Sequence, residues 1–312
     1  MKRWSIGPGS WASAFALVAA GTLGSAQAPP ERPRSLRSSI EVTVVTATVF
    51  DQDNHLVTGL PRDAFEVYED GEPQVISQFT HERVPIGLGL LLDVSDSMFG
   101  QRLRDARAAV ERFLLDLLAP ADSFFLMSFN HEPRLLTPWA ADPASVRDAL
   151  ARLRSSGGTA IYDSVLAALP LMDERPRERA AIVIISDGAD TTSDVTLRDL
   201  RSALLRADTF VYAVAIDSPV RQPINTRVNP EALGEITNPS GGHTTVVRDS
   251  GDLAAATARI AEELNSQYVL GYSSPHPGDG RYHSIRLRVG GGTYRVRARN
   301  GYVATAPVKT RR

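Results

Sequence analysis

Five residues stand out for chemistry, because all of them offer oxygen to a hard cation. Asp93, Ser95 and Ser97 alternate directly after the apolar run Leu88-Gly89-Leu90-Leu91-Leu92. Thr159 follows Ser156-Gly157-Gly158, and Asp187 follows the run Ile182-Val183-Ile184-Ile185-Ser186. Carboxylate, hydroxyl and water oxygens are the ligands that hard divalent ions select. Asp and Ser are also ordinary turn and N-cap residues, so the first stretch alone carries little weight. The other two, at the start of a candidate helix and the end of a second candidate strand, add to it.

The elements that must position these donors alternate strand and helix. The run before Asp93 is long and apolar enough to read as a strand buried on both faces. Further strands are predicted over 123–129, 180–186 and 209–216. Helices are predicted over 102–118, 144–153, 159–172, 197–206 and 253–264. In the first of these, Leu103, Ala106, Val110, Phe113, Leu114 and Leu117 recur at helical spacing. In the second, Asp142-Pro143 forms an N-cap with Pro in the first turn. Such alternation implies an α/β fold, a parallel sheet covered by helices on both faces. Ligands of open parallel sheets bind at the carboxyl ends of the strands, which is where Asp93 and Asp187 fall.

Both flanks of this unit read as β. The first holds a Val- and Thr-rich strand at 40–50, then 65–68 and 75–79 on either side of Asp70-Gly71, a hairpin-turn signal. The second holds 268–272, then 282–289 and 294–299 as a hairpin across Gly290-Gly291-Gly292. There Ile285, Leu287, Val289, Tyr294, Val296 and Ala298 alternate with arginines that would face away. Neither flank is stable by itself. One small β domain built from residues 39–84 and 265–306, with residues 85–264 inserted, is the expected arrangement.

The Asp-x-Ser-x-Ser of Asp93 to Ser97, the Thr159 of the Gly-rich loop and Asp187 together resemble the metal-ion-dependent adhesion site of von Willebrand factor A-type domains. The resemblance implies a Rossmann-like, doubly wound, mainly parallel sheet. It implies that Asp93, Ser95, Ser97, Thr159 and Asp187 hold a divalent cation, Mg²⁺ first, with Mn²⁺ or Ca²⁺ as substitutes. It further implies that the last coordination position is filled by an Asp or Glu carboxylate of a partner protein. Bound anion would draw the loops inward and shift the final helix, about Asp252 to Leu264. In integrin β subunits the motif runs on to a pair of Asp residues that hold an adjacent ion. Here Met98 precedes Phe99-Gly100-Gln101, so no adjacent site is expected, and Asp96 is expected to face solvent. The segments from Asp63 to Gly71 and from Tyr268 to Tyr272 resemble those flanking the A domain in exported bacterial proteins.

Length and composition set the remaining bounds. The chain has 312 residues, 43% hydrophobic and 22% charged, as in globular proteins. A net charge of −2 gives no general attraction to nucleic acid or to an acidic membrane surface. With no cysteine, disulfides, thiolate metal sites and cysteine nucleophiles are excluded. Lys2 and Arg3 before an apolar segment at about 11–23, then small residues to Ala28, read as a signal peptide of residues 1–26. Residues 27–38 read as a linker and 307–312 as a polar tail. The expected location is periplasmic or secreted, with no membrane span in the mature chain.

Two other readings concern side chains outside the five. Arg286, Arg288, Arg295, Arg297 and Arg299 read as a solvated strand face, since no aromatic residues interleave to stack bases. The histidines show no ligand spacing. Function is therefore read as a metal-dependent protein-binding module and not an enzyme. The alternatives are a structural envelope protein whose metal only stabilises loops, or a metal-dependent hydrolase or phosphotransferase. Enzymes of the haloacid dehalogenase type need a second Asp two residues after the first as general acid, and Ser95 stands there.

Overall fold

Residues 42–140, 144–175, 179–187, 189–217 and 229–305 are described in the computed structural model. The expected signal peptide, linker and polar tail, together with Asp142-Pro143, lie outside them. Val- and Thr-rich sequence forms β1 (Val42–Phe50), followed by β2 (Phe65–Glu69), β3 (Glu72–Gln74) and β4 (Ile76–Thr80). Asp70 and Gly71 join β2 to β3 with φ of 50° and 90°, the left-handed turn that suits twisted antiparallel strands.

Next comes β5 (Ile86–Asp93), buried at all 8 residues. The helix α1 (Gln101–Arg112) continues into wider π-helical turns over Phe113–Leu117, where a regular helix to 118 was expected. After β6 (Ser123–Phe129), β7 (Pro133–Ala140) pairs back antiparallel. The chain then runs through α2 (Ala144–Arg152), α3 (Ile161–Asp173), β8 (Arg179–Ser186), α4 (Leu197–Leu204) and β9 (Phe210–Ile216). The sequence pattern missed α5 (Pro230–Thr237), whose start is capped by the Asn229 side chain, and the short β10 (Thr244–Val247). The last helix, α6 (Ser250–Asn265), starts on an Asp249 cap, upstream of the expected 253. Four strands close the described chain: β11 (Tyr268–Ser273), β12 (Tyr282–Val289), β13 (Arg295–Ala298) and β14 (Gly301–Val303).

The central sheet has the order β10-β9-β8-β5-β6-β7, parallel except for β7. One face packs Leu88, Leu90 and Leu92 against α1, α2 and α6; the other packs Leu91, Phe125 and Ile184 against α3, α4 and α5. This is the expected doubly wound Rossmann-like arrangement. The first parallel strand, β5, has β6 on one side and β8 on the other, so the chain order reverses there. Asp93 and Asp187 leave the sheet at that switch point.

The remaining strands make two four-stranded sheets, β13-β1-β11-β4 and β14-β12-β2-β3. Strands from both ends of the chain pair within each, and Val45, Val49, Phe65, Val67, Tyr268, Leu270, Tyr272 and Ile285 form one shared core. Two local expectations need correction. The strands around Gly290-Gly291-Gly292 do not form a hairpin: β12 pairs with β2 and β14, while β13 crosses to pair with β1. The arginine face is also not simply solvated. Arg297 pairs with Glu263 of α6 at 3.0 Å, Arg299 pairs with Asp208 at 3.1 Å, and Arg295 and Arg297 lie over the Phe50 ring. Periodicity reports which side of a strand is apolar, but not what another element brings against the polar side.

Among the described residues, no helix is long and apolar enough to cross a membrane.

Candidate metal centre

Asp93 is the last residue of β5, held opposite Phe129 of β6 by the parallel register. Its Oδ1 accepts the backbone N–H of Ser95 at 2.7 Å, and its Oδ2 accepts the Ser186 hydroxyl. Ser97 donates its hydroxyl to Asp187 Oδ1 at 2.7 Å. Its Oγ also lies 3.0 Å from Ser95 Oγ. Ser97 has one proton and gives it to Asp187, so Ser95 is the donor of that pair. The first and third loops thus form one hydrogen-bonded chain, Asp93 to Ser95 to Ser97 to Asp187. Asp96, the variable position, is exposed as expected.

The loop of Thr159 is latched to both by its backbone. Ser156 N–H donates to Val94 O at 2.8 Å, and Asp96 N–H donates to Gly157 O at 2.9 Å. On the other side Thr191 N–H donates to Thr159 O at 2.8 Å, and Thr159 N–H donates to Thr191 Oγ1 at 2.9 Å. Both glycines are required by geometry. Gly157 has φ +75°, and a Cβ on Gly158 would stand 2.4 Å from Thr192 Cγ2. Asp163, in the first turn of α3, accepts Asp194 N–H at 3.0 Å and Val195 N–H at 2.9 Å, fixing that helix against the third loop. All five candidate residues therefore gather at one end of the sheet, Thr159 joining through its backbone.

Burial sets the electrostatics. Asp93 is 0% exposed and Asp187 2% exposed. Burial, opposed by the Ser186 and Ser95 hydrogen bonds, pushes the Asp93 carboxyl up to about 6, and the nearby Asp187 charge adds to the rise. Burial also raises Asp187, against the pull of Ser97 and Arg102. Two buried carboxylates at one spot favour a positive charge between them. Arg102 supplies part of it, donating from Nη1 to Asp187 Oδ2 at 2.6 Å and to Ser97 O at 2.8 Å. The candidate donor set is all oxygen, two carboxylates and three hydroxyls, and such a set fits a hard divalent ion. Arg102, Ser186 and Thr191 escaped the sequence reading. Only Ser186, next to Asp187, could have been suspected from its position.

One grouping of histidines also escaped the sequence reading. His276 and His283 come together with Glu69 and Asp70, but their rings stack at 4.5 Å and 10° from parallel, so their in-plane nitrogens do not converge on one ion.

A family model described as von Willebrand factor type A domain matches residues 88–189, which span all three loops. The chain contains a von Willebrand factor type A domain. Among curated proteins it is similar to inter-alpha-trypsin inhibitor heavy chain H4 of Homo sapiens, 28% identical over 155 residues, or 44% of this chain and 17% of that one. Heavy chain H2 of Sus scrofa is 28% identical over 130 residues, 38% of this chain and 14% of that one. The chain thus spans less than a fifth of either relative's length. Among solved structures, a von Willebrand factor type A protein from Catenulispora acidiphila aligns with a TM-score of 0.51 at 15% identity, covering 86% of this chain and 74% of that one. Proximal thread matrix protein 1 of the mussel byssus aligns with a TM-score of 0.51 at 12% identity, covering 63% of this chain and 51% of that one. At such identities the structural likeness concerns the fold. Von Willebrand factor type A domains typically mediate protein–protein interaction, often with a divalent metal.

Proposed function

We propose that the protein is an exported binding module that grips an acidic side chain of a partner protein through a divalent cation. The observation that carries this reading is the hydrogen-bonded chain from Asp93 through Ser95 and Ser97 to Asp187, with the Thr159 loop latched beside it. Asp93, Ser95, Ser97, Thr159 and Asp187 would hold the ion, Mg²⁺ first and Mn²⁺ or Ca²⁺ as substitutes. Bound there, the ion supplies an electrophilic centre for an Asp or Glu carboxylate. The serine hydroxyls orient the two carboxylates, and Arg102 offsets part of their charge, so an added anion is not repelled.

Binding is favoured over catalysis because Ser95 stands where a general acid would be needed. Export rests on Lys2, Arg3 and the short apolar segment, with a mature N-terminus at Gln27. In this reading residues 85–264 are the binding unit, and residues 39–84 and 265–306 form one β unit that carries it.

The test is a Mg²⁺ titration followed by capture of native envelope proteins on the immobilised chain, in Mg²⁺ and in chelator. Asp93→Ala should abolish both Mg²⁺ binding and capture. Thr159→Ala should abolish capture with the fold intact, because it removes one neutral ligand and, of a buried side chain, only a hydroxyl and a methyl group. Capture that survives chelation and both substitutions would show that the metal is not the contact.

A further inference from the structure

Away from the sheet switch point, one imidazole stands between two carboxylates where the ends of the chain pair. His283 is a buried residue of β12, the strand that pairs with β2. Its Nδ1 lies 2.7 Å from Asp70 Oδ2, in the turn from β2 to β3. Its Nε2 lies 3.0 Å from Asp279 Oδ1, in the loop from β11 to β12. A neutral imidazole has one N–H and satisfies one of the two, whereas the imidazolium has two and satisfies both. Among the described residues, no Lys or Arg forms an ion pair with Asp70 or Asp279, so the charge that offsets them is the proton on His283.

The surroundings favour that proton. Glu69 of β2, with its side chain buried, lies 4.0 Å from Nδ1 and adds a third negative charge. The His276 ring stacks on His283 at 4.5 Å, and the Tyr302 ring of β14 is 5.8 Å away, with Arg299 over its face. Arg281 acts on Asp279 through its backbone N–H at 2.8 Å and its charge. Burial disfavours the charged imidazole, but the hydrogen bonds and charges of Asp70 and Asp279 outweigh it, and the His283 pKa stands above its ordinary 6.5. Hydrogen bonds from His283 hold both carboxyls below their ordinary 3.8. The pairing therefore contributes fully between those ordinary values. It is lost as pH rises through the raised His283 value, or falls through the depressed carboxyl values.

The backbone decides what gives way at the alkaline edge. Asp70 is the closer acceptor and is also fixed by the Ser284 N–H at 2.8 Å and hydroxyl at 3.1 Å, so the remaining ring proton stays at Nδ1. The Nε2 lone pair then faces the Asp279 carboxylate, and the two repel. Asp279 sits between Gly278 and Gly280, with φ of 63° and 76°, which gives its stretch of backbone freedom to swing. The same loop lays Ser274 and His276 on Glu69, at 2.7 Å and 3.2 Å. With Pro277 and Gly278 it also walls a cavity of about 180 Å³ against Thr43, Arg299 and Tyr302. Gly280 N–H donating to Ala304 O at 2.7 Å, and Ala304 N–H to Arg281 O at 2.9 Å, keep it shut.

We propose that the β11–β12 loop is a strap fastened by a proton: His283 with N–H on both ring nitrogens ties Asp279 to Asp70, and loss of one proton releases the loop from Glu69 and opens the cavity beside it. Histidine is the side chain suited to such a switch near neutral pH.

The strap shares no residue with Asp93 and its neighbours, so the two can be tested apart. NMR of the ¹⁵N-labelled full-length chain from about pH 5 to pH 9 reads the His283 ring nitrogens and the exchange of the Gly280 and Ala304 amides, corrected for intrinsic rates. His283 should still be mostly doubly protonated at about pH 6.5, the ordinary midpoint. Both amides should lose protection as pH rises through its titration, while amides of β5 in the central sheet keep theirs. Asp279→Asn changes a partly exposed loop residue, and it should move the His283 titration and the loss of loop protection to lower pH together. His283→Gln should exchange at every pH as wild type does at the alkaline end; if it fails to fold, Asp279→Asn decides. Half-deprotonation of His283 at or below pH 6.5, loop protection that does not change with pH, β5 amides that lose protection alongside, or an unmoved titration in Asp279→Asn would each overturn the assignment.

Discussion

Arg102 is the residue that most changes how the proposed metal site would work. Its guanidinium holds one oxygen of Asp187 while Ser97 holds the other, so the third-loop carboxylate is fixed before any ion arrives. The pair is almost dry, with side-chain exposures of 16% and 1%. Breaking such a pair by removing one partner typically costs about 3–5 kcal/mol, since the other charge stays buried alone. Arg102→Met should therefore lower the melting temperature of the metal-free protein. It should also tighten Mg²⁺ binding by a factor of roughly 3–10, because a competing positive charge is gone. Calorimetric titration and thermal melts with and without Mg²⁺ check both halves. Weaker Mg²⁺ binding in the variant would mean that Arg102 chiefly positions Asp187.

Among the elements that bear on the candidate site, the Gly-rich loop before α3 tolerates little change. It threads between the first and third loops, and Gly158 lies where a methyl group would collide with Thr192. Gly158→Ala should cost about 1–3 kcal/mol through overpacking. The same shift moves Thr159, so Mg²⁺ affinity should fall even though no ligand has been altered. Urea denaturation and a Mg²⁺ titration of the variant test the two effects separately. A variant that loses stability yet binds Mg²⁺ normally would place the Thr159 side chain outside the site. At this scale Asp70-Gly71 behaved as its dipeptide implies, whereas Gly290-Gly291-Gly292 did not. A two-residue turn with positive φ leaves the chain little choice, but three flexible residues allow the next strand to join either sheet.

For the whole molecule, the decisive contact lies between the α/β unit and the strands beside it. Arg297 of β13 pairs with Glu263 of α6 and donates towards His243 Nδ1 at 2.9 Å. Burial, with the charges of Arg297, Arg259 and Arg295, depresses the His243 pKa to about 3. The unfolded chain therefore takes up a proton at His243 below about pH 6.5 that the folded chain refuses until about pH 3. Stability from this group is complete above pH 6.5 and is lost as pH falls, by up to about 1.4 kcal/mol per unit. Burial raises the Glu263 pKa, against the pull of Arg297, so this group acts in the opposite sense: its contribution declines as pH rises above its ordinary value. His243→Gln should flatten the decline in melting temperature between pH 7 and pH 5. Parallel curves for the two proteins would show that His243 is not responsible.

The sequence by itself determined the α/β class, the strand that ends at Asp93 and the strand that delivers Asp187, and it marked five candidate oxygen donors. Apolar runs, helical periodicity and a motif with fixed internal spacing are local properties and survive being read in one dimension. Even α6 was legible, only with its start misplaced, because Asp249 looks like any loop residue until its side chain is seen to accept Asp252 N–H. What the tertiary structure decided was everything that depends on partners distant in the chain. Arg102 is an ordinary helix-surface residue until β5 and β8 bring Asp187 beside it. The arginines of β13 look solvated until α6 supplies Glu263. His276 and His283 have no ligand spacing of their own, and Glu69 and Asp70 reach them only because β2 and β12 are neighbours in one sheet. Which residues meet across two hundred positions is set by strand pairing and shared burial, and neither leaves a mark on local sequence.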